Sequence, residues 1–116
     1  MELTNTHFRY LLAIYRLSQG QAEVSSAGVA GALRVSRPSV TRMLSVLAEK
    51  DLVTKERYGK IALTDRGAAL ARGQQDYVRR LALRLPSLGL ELSDREAEEA
   101  ALALAAVLPP RCRGEL

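Results

Sequence analysis

The 116-residue chain has one cysteine, Cys112, and one histidine, His7. A lone thiol excludes an internal disulfide framework and any Cys-rich zinc site. No apolar run approaches the roughly 20 residues that cross a bilayer. The opening Met1-Glu2-Leu3-Thr4 lacks the basic end and apolar stretch of a signal peptide. There is no low-complexity tract and no visible repeat. No nucleophile sits beside a base, no Gly-rich loop cradles a phosphate, and no ligand side chains cluster, so an enzyme is not expected. These absences lead to the expectation of a soluble, cytoplasmic protein with no cofactor, no resident metal and no membrane partner. Apolar residues make up 47%, too many for a disordered chain. A chain of this length can bury roughly two-thirds of its unfolded surface.

A further absence is local. Between Val24 and Ala48 there is no acid, while Arg34, Arg37 and Arg42 are present. Residues 1–86 hold 14 Lys/Arg against 7 Asp/Glu, a balance of +7, whereas residues 87–116 hold 3 against 6, a balance of −3. A basic first part with an acid-free stretch suits a polyanionic partner; the plainer alternative is a solvated, arginine-rich surface.

Proline and glycine punctuate the chain. A first helix is expected over 5–18, capped by Thr4 or Asn5 and ended by Gly20. It carries two stripes, Phe8-Leu11-Leu12-Tyr15 and Tyr10-Ile14-Leu17, and so should pack against two bodies. Ser25-Ser26 opens a short helix to Leu33, with Val29, Ala32 and Leu33 inward. Arg34-Val35-Ser36 makes a tight connection. Ser36 then caps a helix to Lys50 with Pro38 in its first turn. Val40, Met43, Leu44 and Leu47 give that helix its buried face, leaving Arg37, Thr41, Arg42 and Ser45 outward. Residues 52–57 and 60–63 read as two strands around a turn at Tyr58-Gly59. Thr64 caps a long helix from Asp65 to Leu85, and Pro86 stops it. Ser93-Asp94-Arg95-Glu96 is a capping box for an Ala/Leu-rich helix to Leu108. The tail 111–116 should fray.

Helix, tight turn, helix and two-strand ribbon is the order of a winged helix-turn-helix, in which the second helix enters the major groove N-terminus first. Ser36, Arg37, Pro38, Ser39, Thr41 and Arg42 supply small side chains for close approach and long donors for bases and phosphates. Arg57, Tyr58 and Lys60 form a basic ribbon tip. The plainer alternative is a helical hairpin whose Ser and Thr residues only cap.

These residues resemble a known family. Thr6-x-x-x-Tyr10-Leu11-x-x-Ile14-Tyr15-x-Leu17 is similar to the opening helix of the iron- and manganese-dependent repressors of the diphtheria-toxin-repressor and manganese-transport-regulator family. Val29-Ala30-x-Ala32-Leu33-x-Val35, followed by Pro38-Ser39-Val40-Thr41-Arg42-Met43, is similar to their helix-turn-helix. Leu63-Thr64-x-x-Gly67 is similar to the entry of their long helix. The resemblance implies a homodimeric transcription regulator paired through the first helix and the helices after the wing. It also implies metal ligands at positions that here hold Arg9, Leu12, Leu102, Ala105 and Ala106, with a histidine near Gln75 or Asp76. Arginine repels a divalent cation, and Leu and Ala carry no donor atoms, so the family-type site is expected to be absent. Arg9 is expected to pair instead with Glu98 or Glu99.

The expected architecture is mostly α: a winged helix-turn-helix of three helices and a two-strand wing over 1–72, a long helix and helical dimerisation segment over 73–110, and a tail over 111–116. The expected function is sequence-specific binding of double-stranded DNA by a homodimer that represses transcription without metal control. Phe8, Leu11, Leu12, Tyr77, Leu81, Ala101, Leu104 and Leu108 are expected at the dimer interface. Two alternatives stand beside it. One is a protein-interaction module that has lost DNA binding. The other is a metal-responsive repressor with a rearranged site built on Asp76 and Glu98 or Glu99. His7 is read as a surface or capping residue, Cys112 as a bystander, and Glu96, Glu98 and Glu99 as a solvated face near a helix N-terminus.

Overall fold

The computed structural model describes residues 3–20 and 23–115, and of Arg57 the backbone only. Five α-helices and three short strands follow one another: α1 (Asn5–Gly20), β1 (Val24–Ser25), α2 (Ser26–Leu33), α3 (Arg37–Glu49), β2 (Val53–Lys55), β3 (Lys60–Leu63), α4 (Asp65–Arg84) and α5 (Asp94–Val107). Arg57–Gly59, Leu85–Leu88 and Pro110–Gly114 form single 3₁₀ turns.

The expected caps form. Ser25 Oγ accepts from Gly28 N–H at 3.1 Å, and Ser36 Oγ accepts from Ser39 N–H at 3.2 Å. Thr64 Oγ1 accepts from Gly67 N–H at 3.0 Å, and the Ser93/Glu96 box closes in both directions. Each satisfies helix-start amides that have no partner inside the helix. His7 belongs to this group. Its Nδ1 accepts from Thr4 N–H at 3.0 Å while its own N–H reaches Thr4 Oγ1 at 3.3 Å. Burial, and secondarily the Lys50 charge, hold its imidazole below the ordinary value, which suits the accepting role.

The sheet departs from the expected two-strand wing. It has three strands in the order β1-β3-β2, all antiparallel, with Val24 opposite Ile61 and Val53 opposite Leu63. β1 is two residues long, too short for any periodicity to signal. β2 is also shorter than expected: Leu52 is fully buried ahead of it, and past Lys55 only the Glu56 N–H still reaches β3, at the Lys60 carbonyl.

The core is in two parts. The first joins α1, α2, α3 and the sheet through Leu11, Ile14, Val29, Val40, Leu44, Leu47 and Leu52. The second joins α1, α4 and α5 through Leu12, Tyr77, Val78, Leu81, Ala101 and Ala105. The opening helix does serve two bodies, and both belong to its own chain. Leu11, Leu12, Tyr77, Leu81 and Ala101, expected at a dimer interface, are each less than one-tenth exposed within a single chain. A pattern of apolar positions requires burial but does not say which chain provides it.

Residues 111–115 do not fray, and Leu116 lies outside the described residues. Cys112 packs on the second core, and the Arg113 guanidinium lies 3.6 Å from the Phe8 ring centroid. Arg113 Nε donates to Gln74 Oε1 at 2.8 Å and its NH2 to Asn5 Oδ1 at 3.0 Å. Asn5 Nδ2 in turn donates to the Leu108 carbonyl at 2.8 Å. A stacked, forked guanidinium supplies the hold that the tail's composition did not suggest.

Candidate nucleic-acid interface

α2 ends with Arg34 in the left-handed region (φ 56), and the Val35 N–H closes onto the Ala30 carbonyl at 3.1 Å. That reversal lets α2 brace α3 after only three connecting residues. Val40, Leu44 and Leu47 fix the rotation of α3 by facing the core, with Met43 half-buried beside them. The opposite face therefore presents Arg37, Thr41, Arg42 and Ser45 to solvent, together with exposed Ser36 and Pro38 and half-buried Ser39.

Short polar contacts organise this face. Ser36 and Ser39 hydroxyls lie 2.8 Å apart, and Arg42 NH2 donates to Ser39 Oγ at 3.3 Å. Thr41 Oγ1 and Ser45 Oγ each turn back to the carbonyl four residues earlier, at 3.1 and 3.2 Å. Arg37 and Arg42 make no ion pair among the described residues. The result is an exposed helix start with unneutralised cations, where amides and dipole both favour an anion.

The wing needs two revisions. Lys60 is no free tip cation. It sits in β3 opposite Ser25, and its Nζ is 2.6 Å from Glu23 Oε1. That hydrogen bond, reinforced by the carboxylate charge, raises the Lys60 pKa. The cation the sequence reading overlooked is Lys55, whose Nζ donates to Ser45 Oγ at 3.0 Å and so joins the outer face of α3. Period-two alternation places Lys55 on the same side of β2 as buried Val53. The side chain follows that face outward until it reaches α3, a path visible only once the register is known. At the tip, Tyr58 is 94% exposed with φ 64, and Gly59 follows at φ 75. The Arg57 side chain lies outside the described residues.

The positions where the resemblance implies metal ligands do come together, but not as a donor set. Arg9, Leu12, Leu102, Ala105 and Ala106 all border one cavity of about 710 Å³ between α1, the end of α2 and α5. None but the arginine carries a polar side-chain atom, and a guanidinium does not ligate a cation. These residues do not fit a divalent metal. Arg9 does not pair with Glu98 or Glu99 as expected. Its NH2 donates to the Leu33 carbonyl at 2.9 Å, because α1 places Arg9 over the end of α2. Two α1 turns further, where α5 passes, Arg16 takes Glu98 at 2.7 Å, and Glu99 pairs with Arg95 at 3.2 Å. Among the described residues no three His, Cys, Asp or Glu side chains are placed to share a metal ion, Asp76 and the α5 acids included.

Residues 2–61 match the family described as iron dependent repressor, N-terminal DNA binding domain. The manganese regulator SloR is 27% identical and superposes with a TM-score of 0.72 over 99% of this chain and 52% of its own. IdeR from T. acidophilum is 22% identical, with a TM-score of 0.76 over 99% of this chain and 53% of its own. SSo2273 from Sulfolobus solfataricus is 23% identical, with a TM-score of 0.68 over 97% of this chain and 85% of its own. The chain thus spans about half the length of SloR and IdeR.

Proposed function

Because the chain belongs to the iron-dependent repressor family, we propose that it binds double-stranded DNA as a symmetric homodimer and represses transcription, without a divalent metal at the family's ligand positions. The family is one of transcriptional regulators and not of enzymes. The observation that carries the reading is the outer face of α3, where Arg37, Thr41 and Arg42 are exposed and Lys55 reaches in from β2. In this reading α3 lies in the major groove, with Ser36, Ser39 and the helix start on phosphate and Arg42 on a base edge. Residues 1–72 form the DNA-binding unit and 73–110 the dimerisation segment. The lack of donor atoms at Leu102, Ala105 and Ala106 supports independence from metal.

Fluorescence anisotropy with duplex DNA at several salt concentrations tests it. Affinity should fall with salt, each phosphate contact adding about 0.9 to the log–log slope. Lys55→Ala should flatten the slope by about one contact, and Lys60→Ala by less, since Glu23 already engages that charge. Arg42→Ala should cost about 1–3 kcal/mol on the preferred sequence. A chain that ignores duplex DNA at micromolar concentration, including fragments of its own promoter, removes the reading. Added manganese(II) that tightens binding removes the metal-independent part alone.

A further inference from the structure

The positions where the resemblance implies metal ligands border one cavity. Its volume of about 710 Å³ falls within the range of small-molecule sites. Leu12, Leu17, Leu33, Leu102 and Ala105 give it apolar walls. Its lining includes no acidic residue. Two polar groups face this space with donors to spare. Arg9 makes one bond, to the Leu33 carbonyl, and no ion pair among the described residues. Gln74 is 4% exposed and lines the cavity, with its amide oxygen held by Arg113 Nε. Its amide nitrogen has no hydrogen-bond partner among the described residues. That amide N–H is open to the cavity and free to donate to a ligand oxygen.

We infer that this cavity binds a small organic carboxylate with an aromatic or branched aliphatic body. The body lies against Leu12, Leu33 and Leu102, and the carboxylate accepts from Arg9 and from the Gln74 amide. Charge selects the class: a fixed guanidinium, in a lining without an acidic residue, favours a monoanion over a neutral or cationic compound. The apolar walls disfavour a bare inorganic anion, which would lose its hydration there without recovering it.

Calorimetry on the full chain without DNA tests this, with naphthoate as probe and naphthamide as its neutral match. Naphthoate should bind one per chain with a Kd on the order of 10 µM, and naphthamide at least about tenfold more weakly. Arg9→Gln should weaken naphthoate by about tenfold. Ala106→Phe, at an exposed position on the cavity rim, should block binding while leaving the thermal midpoint unchanged. Equal affinity for the two probes, no saturable binding, or naphthoate binding undiminished in either variant overturns the inference. So does an Ala106→Phe chain that changes its sedimentation instead, since a second copy would then occupy the groove. With no duplex present, failure here leaves the DNA reading untouched.

Discussion

At the scale of single residues, Gly67 holds a junction. A Cβ at this position would run into the backbone carbonyl of Leu52. That same carbonyl accepts from Thr64 N–H at 3.1 Å, and Thr64 Oγ1 donates to the Asp51 carbonyl at 2.8 Å. The start of α4 is thereby docked on the loop that leaves α3, and backbone cannot move aside as a side-chain tip can. Gly67→Ala should lower stability by about 1–3 kcal/mol, read from denaturant unfolding. Tyr58 presents the opposite case. Its left-handed backbone costs energy, and a side chain 94% exposed recovers little of it through packing. Tyr58→Gly should raise stability by about 0.5–1 kcal/mol in thermal unfolding while weakening duplex binding. The sequence shows Thr64 and Gly67 as a helix entry. It does not show why Gly67 must lack a side chain, because the obstructing atom lies fifteen positions earlier.

At the scale of elements, the helix starts were the most legible features, because a cap and the amides it satisfies lie within three residues of each other. The α5 box is an instance with a pH signature. Glu96 Oε1 accepts from Ser93 N–H at 2.9 Å while Ser93 Oγ accepts from Glu96 N–H at 3.1 Å. The Ser93 backbone N–H foremost, and the Ser93 hydroxyl after it, hold the Glu96 carboxyl below its ordinary value of 4.5. A depressed folded pKa means that the contribution is full above the unfolded value and lost as pH falls through the folded one. Thermal midpoints should therefore drop on acidification below about 4.5, and Glu96→Gln should lack that part of the drop. Ser93→Ala should cost about 1 kcal/mol at neutral pH. What could not be read at this scale was β1, since two residues pairing with a strand thirty-six positions later leave no local trace. Nor could the destination of Lys55 be read, since it depends on a register that weak alternation left open.

At the scale of the whole molecule, the chain measures 49 × 29 × 23 Å, longer in one direction than a sphere of its size. One end of the second body carries Leu83 (72% exposed), Leu88 (70%) and Leu90 (49%) close together in sequence. Exposed leucines of this kind offer apolar area for a contact. They give the proposed dimer apolar area that the buried Leu11, Leu12, Tyr77, Leu81 and Ala101 cannot, alongside half-buried Leu104 and Leu108 and the partly covered Phe8. Sedimentation at tens of micromolar should show a dimer, and Leu88→Glu should shift it toward monomer without loss of helix content. A monomer in the unmodified chain would refute the pairing. Two α3 helices related by a twofold axis would then read a near-palindromic site, spaced by one helical turn of DNA or a multiple of it.

The clasp of Arg113 on Asn5 and Phe8 joins positions 108 and 105 residues apart, and this bears on the order of events during synthesis. The first core runs from Tyr10 to Ala71 and can close while the ribosome is still adding α5. Leu12 and Phe8, on the other side of the same helix, have nothing to rest on until α4, α5 and the 110–114 turn have emerged. A chain whose first core closes in that interval would carry a bare apolar strip along its first helix. Apolar surface exposed in this way is what chaperones cover and what lets unfinished chains associate.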